Sequence, residues 1–598
     1  MFRRIEESLE PDPAFPADLR QLGFFVNNVG AIRMIDAPDK PYVFHATNNE
    51  RVNEVRREAM QTCQRNETEK RLAYVGLNCI HLPKFAMTKP NGPHVPILAP
   101  APEMLKMRKR VIVLVNDSSQ DLGILAYRQL QRELGINGGS LVNFVKNIIK
   151  RSATENSAEQ DEEIFHDQFK LHDENATPAL VVLNTGQLLY SHKYDQAMTL
   201  RSWSAMPRKS ITHDMVLIHE EENRVDGHRN PSEHVRTVFD QIICNPERVA
   251  ADAEVYVIAI EDGTEHILDL LADDLRLTHH RSGAIHSLID DSQIKNPQLR
   301  AFLHQRARQW KYTDVTSNPL HCTHLPDDYE EDLKNHPPLD SSSIMKSAKH
   351  IAWHENVRKA EEGVMSAVTN ALHRFAVSVS ATKKKDLVPE APDAPTEWAS
   401  GQAVVCPTFA GGDNSVAECV FTDSTVQNAI LSFFEEVAQD PETYRNPAME
   451  IHNKAPQPTP DNPLVLSADH VDIDFAALPA EMSPEQAELD SARQKLAEMR
   501  IEFDACPVGV QELEKGRDKL AKNIIKMQTK VEELEKKALG HGGLKAGEAV
   551  EKRENWKPQT EGPKVPFAGT MVDSELLKAA GLVESAKGGE GDEEKAFI

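Results

Sequence analysis

The stretch Val255-Tyr256-Val257-Ile258-Ala259-Ile260-Glu261-Asp262-Gly263-Thr264-Glu265-His266 reads as an apolar strand, an acidic turn and a helix start. Hydrolases with an exposed nucleophile place it on such a sharp strand-to-helix turn, in the pattern G-x-S-x-G. Laid on that pattern, Ala259 takes the first Gly, Glu261 the nucleophile and Gly263 the second Gly. A carboxylate at this point, with Asp262 beside it, can serve as nucleophile or base, but not by the serine-ester route. The plainer account is a solvated acid at a helix N-terminus, where the dipole favours negative charge.

A second group follows another apolar run. Asn116-Asp117-Ser118-Ser119-Gln120 sits where an oxyanion-hole loop would lie, which makes Asn116, Asp117 and Ser118 candidate pocket groups. The same residue types also cap helices. A base is expected on a loop after a late strand. The segment Thr408–Glu418 is that loop, and it holds Glu418 but no histidine. His266, one turn past the acid, and His234, at a predicted helix start, are the other candidates. In a chain with 24 histidines, scattered imidazoles are usually structural. His321-Cys322-Thr323-His324 has metal-ligand types, but no second pair at zinc spacing accompanies it. No P-loop occurs, and no G-x-G-x-x-G follows a strand, so neither a metal nor another cofactor is expected.

Elements that would position these groups alternate in type. Arg110–Asn116, Ala179–Asn184, Val255–Ile260 and Gln402–Cys406 are runs rich in Val, Ile and Leu. Continuous apolar runs mean strands buried on both faces, as in parallel sheets covered by helices. Helical segments near 121–134, 232–244, 264–275 and 424–438 supply crossovers, which predicts an α/β fold with a mainly parallel sheet. Before them, Phe24–Ile35 predicts two short strands around an Asn-Gly turn, and Asn49–Arg65 a polar helix with Val52, Val55 and Met60 inward. Residues 277–400 break the rhythm as a helical insertion, with a long helix over Ile344–Val379.

At 598 residues the chain is long enough for two to four domains. Residues 449–482 are a Pro-rich linker. Ser483-Pro484-Glu485-Gln486 then starts a helix, with apolar residues from Leu489 to Phe503 and again from Val510 to Leu534 at heptad spacing. Cys506-Pro507-Val508-Gly509 interrupts it, so 483–540 predicts a helical hairpin or coiled coil, a candidate for self-association, with Arg517 inside the apolar stripe. Residues 541–598 are Gly-, Lys- and Glu-rich and are expected to be disordered, with Asp573–Leu582 as one apolar island.

Lys plus Arg number 68 and Asp plus Glu 93, a net charge of −25 that disfavours direct binding to a polyanion. No apolar run reaches the roughly 20 residues that span a bilayer, so no membrane partner is expected. The first seven residues are charged and lack a secretory apolar region, and the 7 cysteines are scattered and odd in number. Both fit a reducing compartment, nucleus or cytoplasm, rather than secretion.

Several segments together resemble the domain named for the second argonaute-binding protein. They are Gly23-Phe24-Phe25-Val26-Asn27-Asn28, Ile32-Arg33-Met34-Ile35, Val182–Leu188, Trp203, Pro207, and Asn223–Gly227 through Glu233-His234-Val235. The turn at 255–264 and the segment at 409–434 fit the same template. The resemblance covers roughly residues 1–445 apart from a 320–400 insertion. It implies an α/β-hydrolase-like fold over 1–448. It also implies either a subunit of an argonaute-containing complex in small-RNA-directed heterochromatin or the C-terminal appendage of class II histone deacetylases. Related members carry Ser at the turn and His-Glu in the last loop. Here Glu261 and Ala417-Glu418 stand at those places, so the expectation is a protein-binding scaffold, with a hydrolase of altered active site as the alternative.

Overall fold

The computed structural model describes residues 9–132, 134–152, 178–273, 281–286, 294–313, 315–335, 404–414, 416–441, 443–452, 484–541, 564–567 and 570–573. They belong to two compact units, one of residues 1–471 with 501–521, the other of 472–500 with 522–598.

The first unit opens with β1 (Phe24–Val26), β2 (Ile32–Met34) and β3 (Ala37–Pro41), a small antiparallel meander, followed by the long helix α1 (Glu50–Tyr74). The β1–β2 turn is the predicted one. The Asn27 side chain accepts the N–H groups of Val29 and Ala31, and Gly30 takes a left-handed φ of 84°. Next come β4 (Asn78–Leu82), β5 (Val95–Ala99), α2 (Pro102–Met107), β6 (Arg110–Val115), α3 (Tyr127–Gln131), α4 (Gly135–Gly138) and α5 (Val142–Ser152). The chain continues through β7 (Ala179–Leu183), the hairpin β8 (Leu189–Ser191) and β9 (Gln196–Met198), α6 (Leu200–Ser204) and α7 (Pro231–Val238), which ends in a π turn over Phe239–Ile243. The remainder is β10 (Glu254–Ile260), α8 (Asp262–Asp273), β11 (Arg281–His286), α9 (Pro297–Arg306), β12 (Ala307–Lys311), β13 (Cys322–His324), α10 (Tyr329–Asn335), β14 (Thr408–Ala410), a 3-10 turn over Ala417–Thr422 and α11 (Ser424–Ala438).

Nine of these strands form one sheet in the order β13-β14-β12-β11-β10-β6-β7-β5-β4. The pairs from β14 through β7 are parallel, and the antiparallel strands β13, β5 and β4 lie at the two sides. Alternate residues of the apolar runs leave on opposite faces, as strand geometry requires. Ile112, Leu114, Leu180, Val182, Tyr256 and Ile258 pack with Phe144 and Ile148 of α5 and Ile430, Phe433 and Phe434 of α11. Val111, Val113, Val115, Val181, Val255 and Val257 pack with Val235 and Val238 of α7 and Ile267 and Leu268 of α8. Two covered faces leave no polar alternate position, which is why these strands read as unbroken apolar runs.

Three expectations change. Residues 281–286, 307–311 and 322–324, inside the presumed insertion at 277–400, are strands of the main sheet. The sequence that interrupts the rhythm therefore begins no earlier than 336, and the helix expected over Ile344–Val379 lies outside the described residues. The late strand is Thr408–Ala410, not 402–406; Val404, Val405 and Cys406 are buried just ahead of it. The crossover helix expected at 121–134 is replaced by the short pair α3 and α4, with the main burial on α5. Gly135 has a left-handed φ of 62°, and a Cβ there would stand 2.6 Å from the Gly30 carbonyl, so the helix is interrupted where two backbones touch.

Helices α12 (Pro484–Ala505) and α13 (Gln511–His541) form the expected hairpin. Their ends around the connection belong to the first unit. There Cys506 and Leu513 are buried with Phe25 of β1, the Asn28 N–H donates to Ala505 O at 2.9 Å, and Arg33 pairs with Glu502 at 2.5 Å. Arg517 is spent on the turn and not on a partner helix. Its guanidinium donates to the Cys506 and Phe503 carbonyls at 2.6 and 3.1 Å and lies 4.1 Å over the Phe503 ring. These carbonyls lie at and just past the end of α12, where the i→i+4 ladder stops, so a cation closes the break that Pro507 and Gly509 open. In the second unit Leu489, Ala492 and Leu496 pack on Val531 and Leu534. Arg493–Glu535 and Lys530–Glu488 flank that seam at 2.7 and 3.0 Å. Strands β15 (Lys564–Phe567) and β16 (Thr570–Asp573) pair antiparallel within the stretch expected to carry no structure. Val565, Phe567, Thr570 and Val572 are strand-favouring types in an otherwise polar tail.

Leu513→Ala empties a site that is 4% exposed against Phe25 and Cys506. Urea unfolding of the full chain is expected to show a loss of about 2–4 kcal/mol. A loss under about 0.5 kcal/mol, the range of surface substitutions, would mean that the hairpin connection is not part of the first unit's core.

Candidate functional site

Neighbouring parallel strands release their loops on the same rim of a sheet. β6 and β10 are direct neighbours, with Ala259 opposite Val115, so the loop after β6 and the turn after β10 must lie side by side. Glu261 alone makes that turn: β10 ends at Ile260, α8 begins at Asp262, and Glu261 has a φ of 51°. A left-handed residue other than Gly costs roughly 1–2 kcal/mol. Gly263 follows because the helix start presses on β6. A Cβ there would stand 2.6 Å from Val115 O and 2.9 Å from Asn116 O. The strained residue flanked by a close-approach glycine is the backbone geometry of a nucleophile turn, and it presents a carboxylate.

The loop after β6 clamps the next residue. Ser118 donates its N–H to one oxygen of Asp262 at 2.8 Å and its hydroxyl to the other. Asp117 accepts the Ser119 N–H at 2.7 Å. Burial pushes the Asp117 carboxyl above its ordinary value, and the neighbouring Asp262 and Glu261 push the same way against its bonds to Ser119. Asn116 is buried and structural; its amide donates to Ile124 O at 2.8 Å. Lys311, at the end of β12, faces the same rim. Burial lowers its ammonium, opposed by the nearby Cys406 thiol and the Glu261 carboxyl. His324 is lowered by burial and by Lys311. Asp117, Glu261 and Asp262 thus gather where α/β sheets bind ligands, beyond the carboxyl ends of the strands, with the Lys311 ammonium within electrostatic reach of Glu261.

The Arb2 domain matches residues 15–316. The chain belongs to the Arb2 domain family. That match takes in the strands from β1 to β12, and with them Glu261, Asp262, Asn116, Asp117 and Ser118. No curated protein and no solved structure matches the chain.

Within the Arb2 domain the other sequence candidates separate from the rim. His266 faces α7, its Nδ1 2.9 Å from Ser232 Oγ. His234 is fully buried, and its Nε2 accepts the Asn184 N–H at 3.0 Å. That acceptance leaves the proton on Nδ1, which lies 2.9 Å from His228 Nδ1. Burial holds His234 well below the usual imidazole range, and it lowers His228 to about 4 against the pull of Glu233 and Asp226. This neutral pair fixes the loop after β7. From that loop Thr185 donates to Asn116 O at 2.7 Å, and Gly186 packs directly on the Gln120 and Ser118 carbonyls. His234 is therefore a support for the loop that carries Ser118. His321 bonds Thr316 at 3.0 Å and Asn318 at 3.2 Å and stacks on His452, and burial raises the Cys322 thiol to about 11. Among the described residues no three His, Cys, Asp or Glu side chains are placed to hold a metal. Glu418 lies in the 3-10 turn, and its side chain is outside the described residues.

The group that sequence reading missed is Asp121. Its side chain is fully buried and accepts from Tyr127 at 2.7 Å, Arg201 at 2.9 Å, Gln187 at 3.0 Å and Arg65 at 3.1 Å. Burial alone would raise its carboxyl, but the two guanidiniums and the hydrogen bonds outweigh burial and hold it below the ordinary value. Glu58 completes the set by pairing with Arg65 at 2.6 Å. This cluster ties α1, α3, α6 and the β7 loop to the loop that bears Ser118.

Two outcomes test this description. Glu261→Gly and Glu261→Ala both delete the carboxylate, and only the second keeps a Cβ at φ 51°. The glycine variant is expected to be the more stable by about 1 kcal/mol in urea, and equal stability would remove backbone strain from the turn. Asp121→Asn takes from the half-buried Arg201 its counter-charge, leaves Arg65 with Glu58 alone, and should cost about 3 kcal/mol at pH 7. Because the folded carboxyl is held low, its contribution is complete above the ordinary value near ~4 and is lost as pH falls through the folded value. The wild-type advantage over Asp121→Asn should therefore hold from pH 7 down to about 4 and shrink below it; a gap that stays constant below about 4 would contradict the depressed carboxyl.

Proposed function

We propose that the chain is a non-catalytic, α/β-hydrolase-like interaction protein of the nucleus or cytoplasm. It would act as a subunit of an argonaute-associated complex in small-RNA-directed heterochromatin silencing. The observation that carries this reading is Glu261: a nucleophile-type turn with the strained φ of 51° retained and a carboxylate where a serine-ester mechanism needs an alcohol. The neighbouring hydroxyl of Ser118 is donated to Asp262, and His266 and His234 are bonded to Ser232 and Asn184. None of these places an imidazole on the Ser118 hydroxyl, as a proton relay at the turn would need; the hydroxyl that meets His266 is Ser232, on α7 and away from the turn. Membership of the Arb2 domain family supports a protein-interaction role, and a net charge of −25 favours protein contacts over direct contact with nucleic acid. The helical hairpin at 483–540 offers further contact surface, for a partner or a second copy.

One observation favours a second reading, a hydrolase of altered active site. Burial, with Asp262 and Glu261 beside it, raises the Asp117 carboxyl, and a carboxyl raised among other acids is a candidate general acid.

A tagged full-length chain recovered from its own cells is expected to bring down an argonaute, identified by mass spectrometry. The purified chain is expected to leave aryl esters of short and long acyl chains unhydrolysed. Ester turnover that Glu261→Gln abolishes would replace the scaffold reading with the second one, and recovery without any argonaute would remove the silencing assignment.

A further inference from the structure

The segment between α6 and α7 carries a surface that the rim does not use. Residues 214–219 run without a turn, helix or strand, and Met215, Val216 and Leu217 are exposed in succession. Leu217 is 89% exposed, more than any other large apolar side chain among the described residues. Leu200, which opens α6 one turn before Trp203, is also exposed, at 58%. Scattered single apolar residues on a surface need no explanation, but a contiguous exposed run does.

This run is held in place. Before it, Ser210 bonds His213 at 2.7 Å and Arg208 donates to His213 O at 3.1 Å. At its centre the buried Trp203 donates its indole N–H to Val216 O at 2.8 Å. After it, the His219 N–H donates to the Asn223 side chain at 2.8 Å, and the Asn223 N–H returns to His219 O at 3.0 Å. Ile218 turns inward onto the cluster of Leu189, Met198, Trp203 and Met206. The backbone N–H groups from Asp214 to Ile218 have no acceptor among the described residues. The result is an anchored, irregular strip with unused donors and apolar side chains facing solvent, to which a partner peptide can add by backbone pairing. Anchoring at both ends and at the centre removes ordering cost from such binding.

Charge identifies the occupant. Asp214 precedes the apolar run and Glu220, Glu221 and Glu222 follow it, all exposed; the nearest exposed cation before it in sequence is Lys209. A second copy of this chain would set these acids against themselves, and its net charge of −25 opposes it further. A nucleic acid is excluded by the same sign. We propose that residues 214–222 bind an extended segment of a partner protein in which basic residues alternate with apolar ones. The apolar residues would lie on Met215 and Leu217 and the cations on Asp214 and Glu220–Glu222. This rests on the interaction-protein reading and adds to it a place and a chemistry of contact.

The test uses the full-length chain and three fluorescein-labelled eight-residue peptides: alternating Lys with Leu or Val, the same with Glu for Lys, and the same with Ser for Lys. Fluorescence polarisation should show the Lys peptide binding at least tenfold tighter than the other two. The double variant Met215→Ser/Leu217→Ser keeps every charge and removes only the apolar contacts, so it should weaken the Lys peptide at least tenfold. Glu220→Gln/Glu221→Gln/Glu222→Gln should flatten the salt dependence of binding. Circular dichroism and Trp fluorescence that match wild type establish that both variants are folded. Absence of binding, equal affinity for the three peptides, or unchanged affinity in the Ser/Ser variant would overturn the proposal; the last would mean only diffuse attraction of a cation to an acidic protein. These outcomes are separate from those of the scaffold reading. Ester turnover would sink the scaffold without touching this strip, and failure of the Lys peptide would leave recovery of an argonaute unaffected.

Discussion

The left-handed turn at Glu261 is the constraint from which the arrangement of the rim follows. A strand that passes into a helix through one residue brings the helix start against the neighbouring strand, which is why residue 263 must lack a Cβ. It also delivers Asp262 to the loop after β6, where the Ser118 N–H and hydroxyl meet its two oxygens. Parallel pairing of β6 and β10 makes that meeting unavoidable, since both chains leave the sheet in the same direction. The strain at Glu261 persists because these contacts over-determine it, as strain in a folded chain must be.

Buried ion clusters then hold the loops that a sheet alone cannot. Asp121 gathers Arg65, Arg201, Tyr127 and Gln187 beneath the β6 loop. Arg51 does similar work between α1 and the chain after α6, gripping both oxygens of Asp12 at 2.8 and 2.7 Å and the carbonyls of Ser204 and Met206. Such pairs are poor sources of net stability, because desolvation offsets much of the attraction. Their effect is geometric. A carboxylate with four donors admits one arrangement of the elements that bring them, and α6 is thereby fixed, through Arg201, against the loop after β6.

Much of the sheet was legible from residue order alone, and the reason is burial on both faces. β6, β7 and β10 read as strands because each face meets helices, and α11 was bounded by its apolar spacing at the residues it occupies, 424–438. The β1–β2 turn and the helical hairpin were legible through Asn and Gly turn chemistry and heptad spacing, whereas the third strand, β3, was not foreseen. What stayed hidden was short or non-local. β13 and β14 are three residues each, with polar members, and carry no periodic signal. The Asp121 cluster joins positions 65, 121 and 201, and no local pattern announces that two distant arginines share one acid. Arg517 was visible as a misfit in an apolar stripe, but its role at the turn needs the carbonyls that Pro507 and Gly509 leave exposed. Among the candidate site residues, Glu261, Asp262, Asn116, Asp117 and Ser118 do meet. His266 and His234 go elsewhere, because α7 and α8 pack side by side and direct those imidazoles to Ser232 and Asn184.

Exchanging an alcohol for an acid at such a turn changes what the rim can do. An alcohol there needs a base to become reactive, and the surroundings are then selected to move a proton. An acid there is already charged, so the surroundings must accommodate that charge. Burial lowers the Lys311 ammonium against the pull of Glu261, and burial, joined by Asp262 and Glu261, raises the Asp117 carboxyl. Raising Asp117 eases repulsion among neighbouring acids, whereas lowering Lys311 weakens a cation near them. Elsewhere on the first unit, exposed segments keep apolar side chains toward solvent. The strip at 214–222 is the most exposed of these: its backbone donors are unused, its apolar side chains face outward, and its position is set by the same α6 segment that Arg201 ties to Asp121.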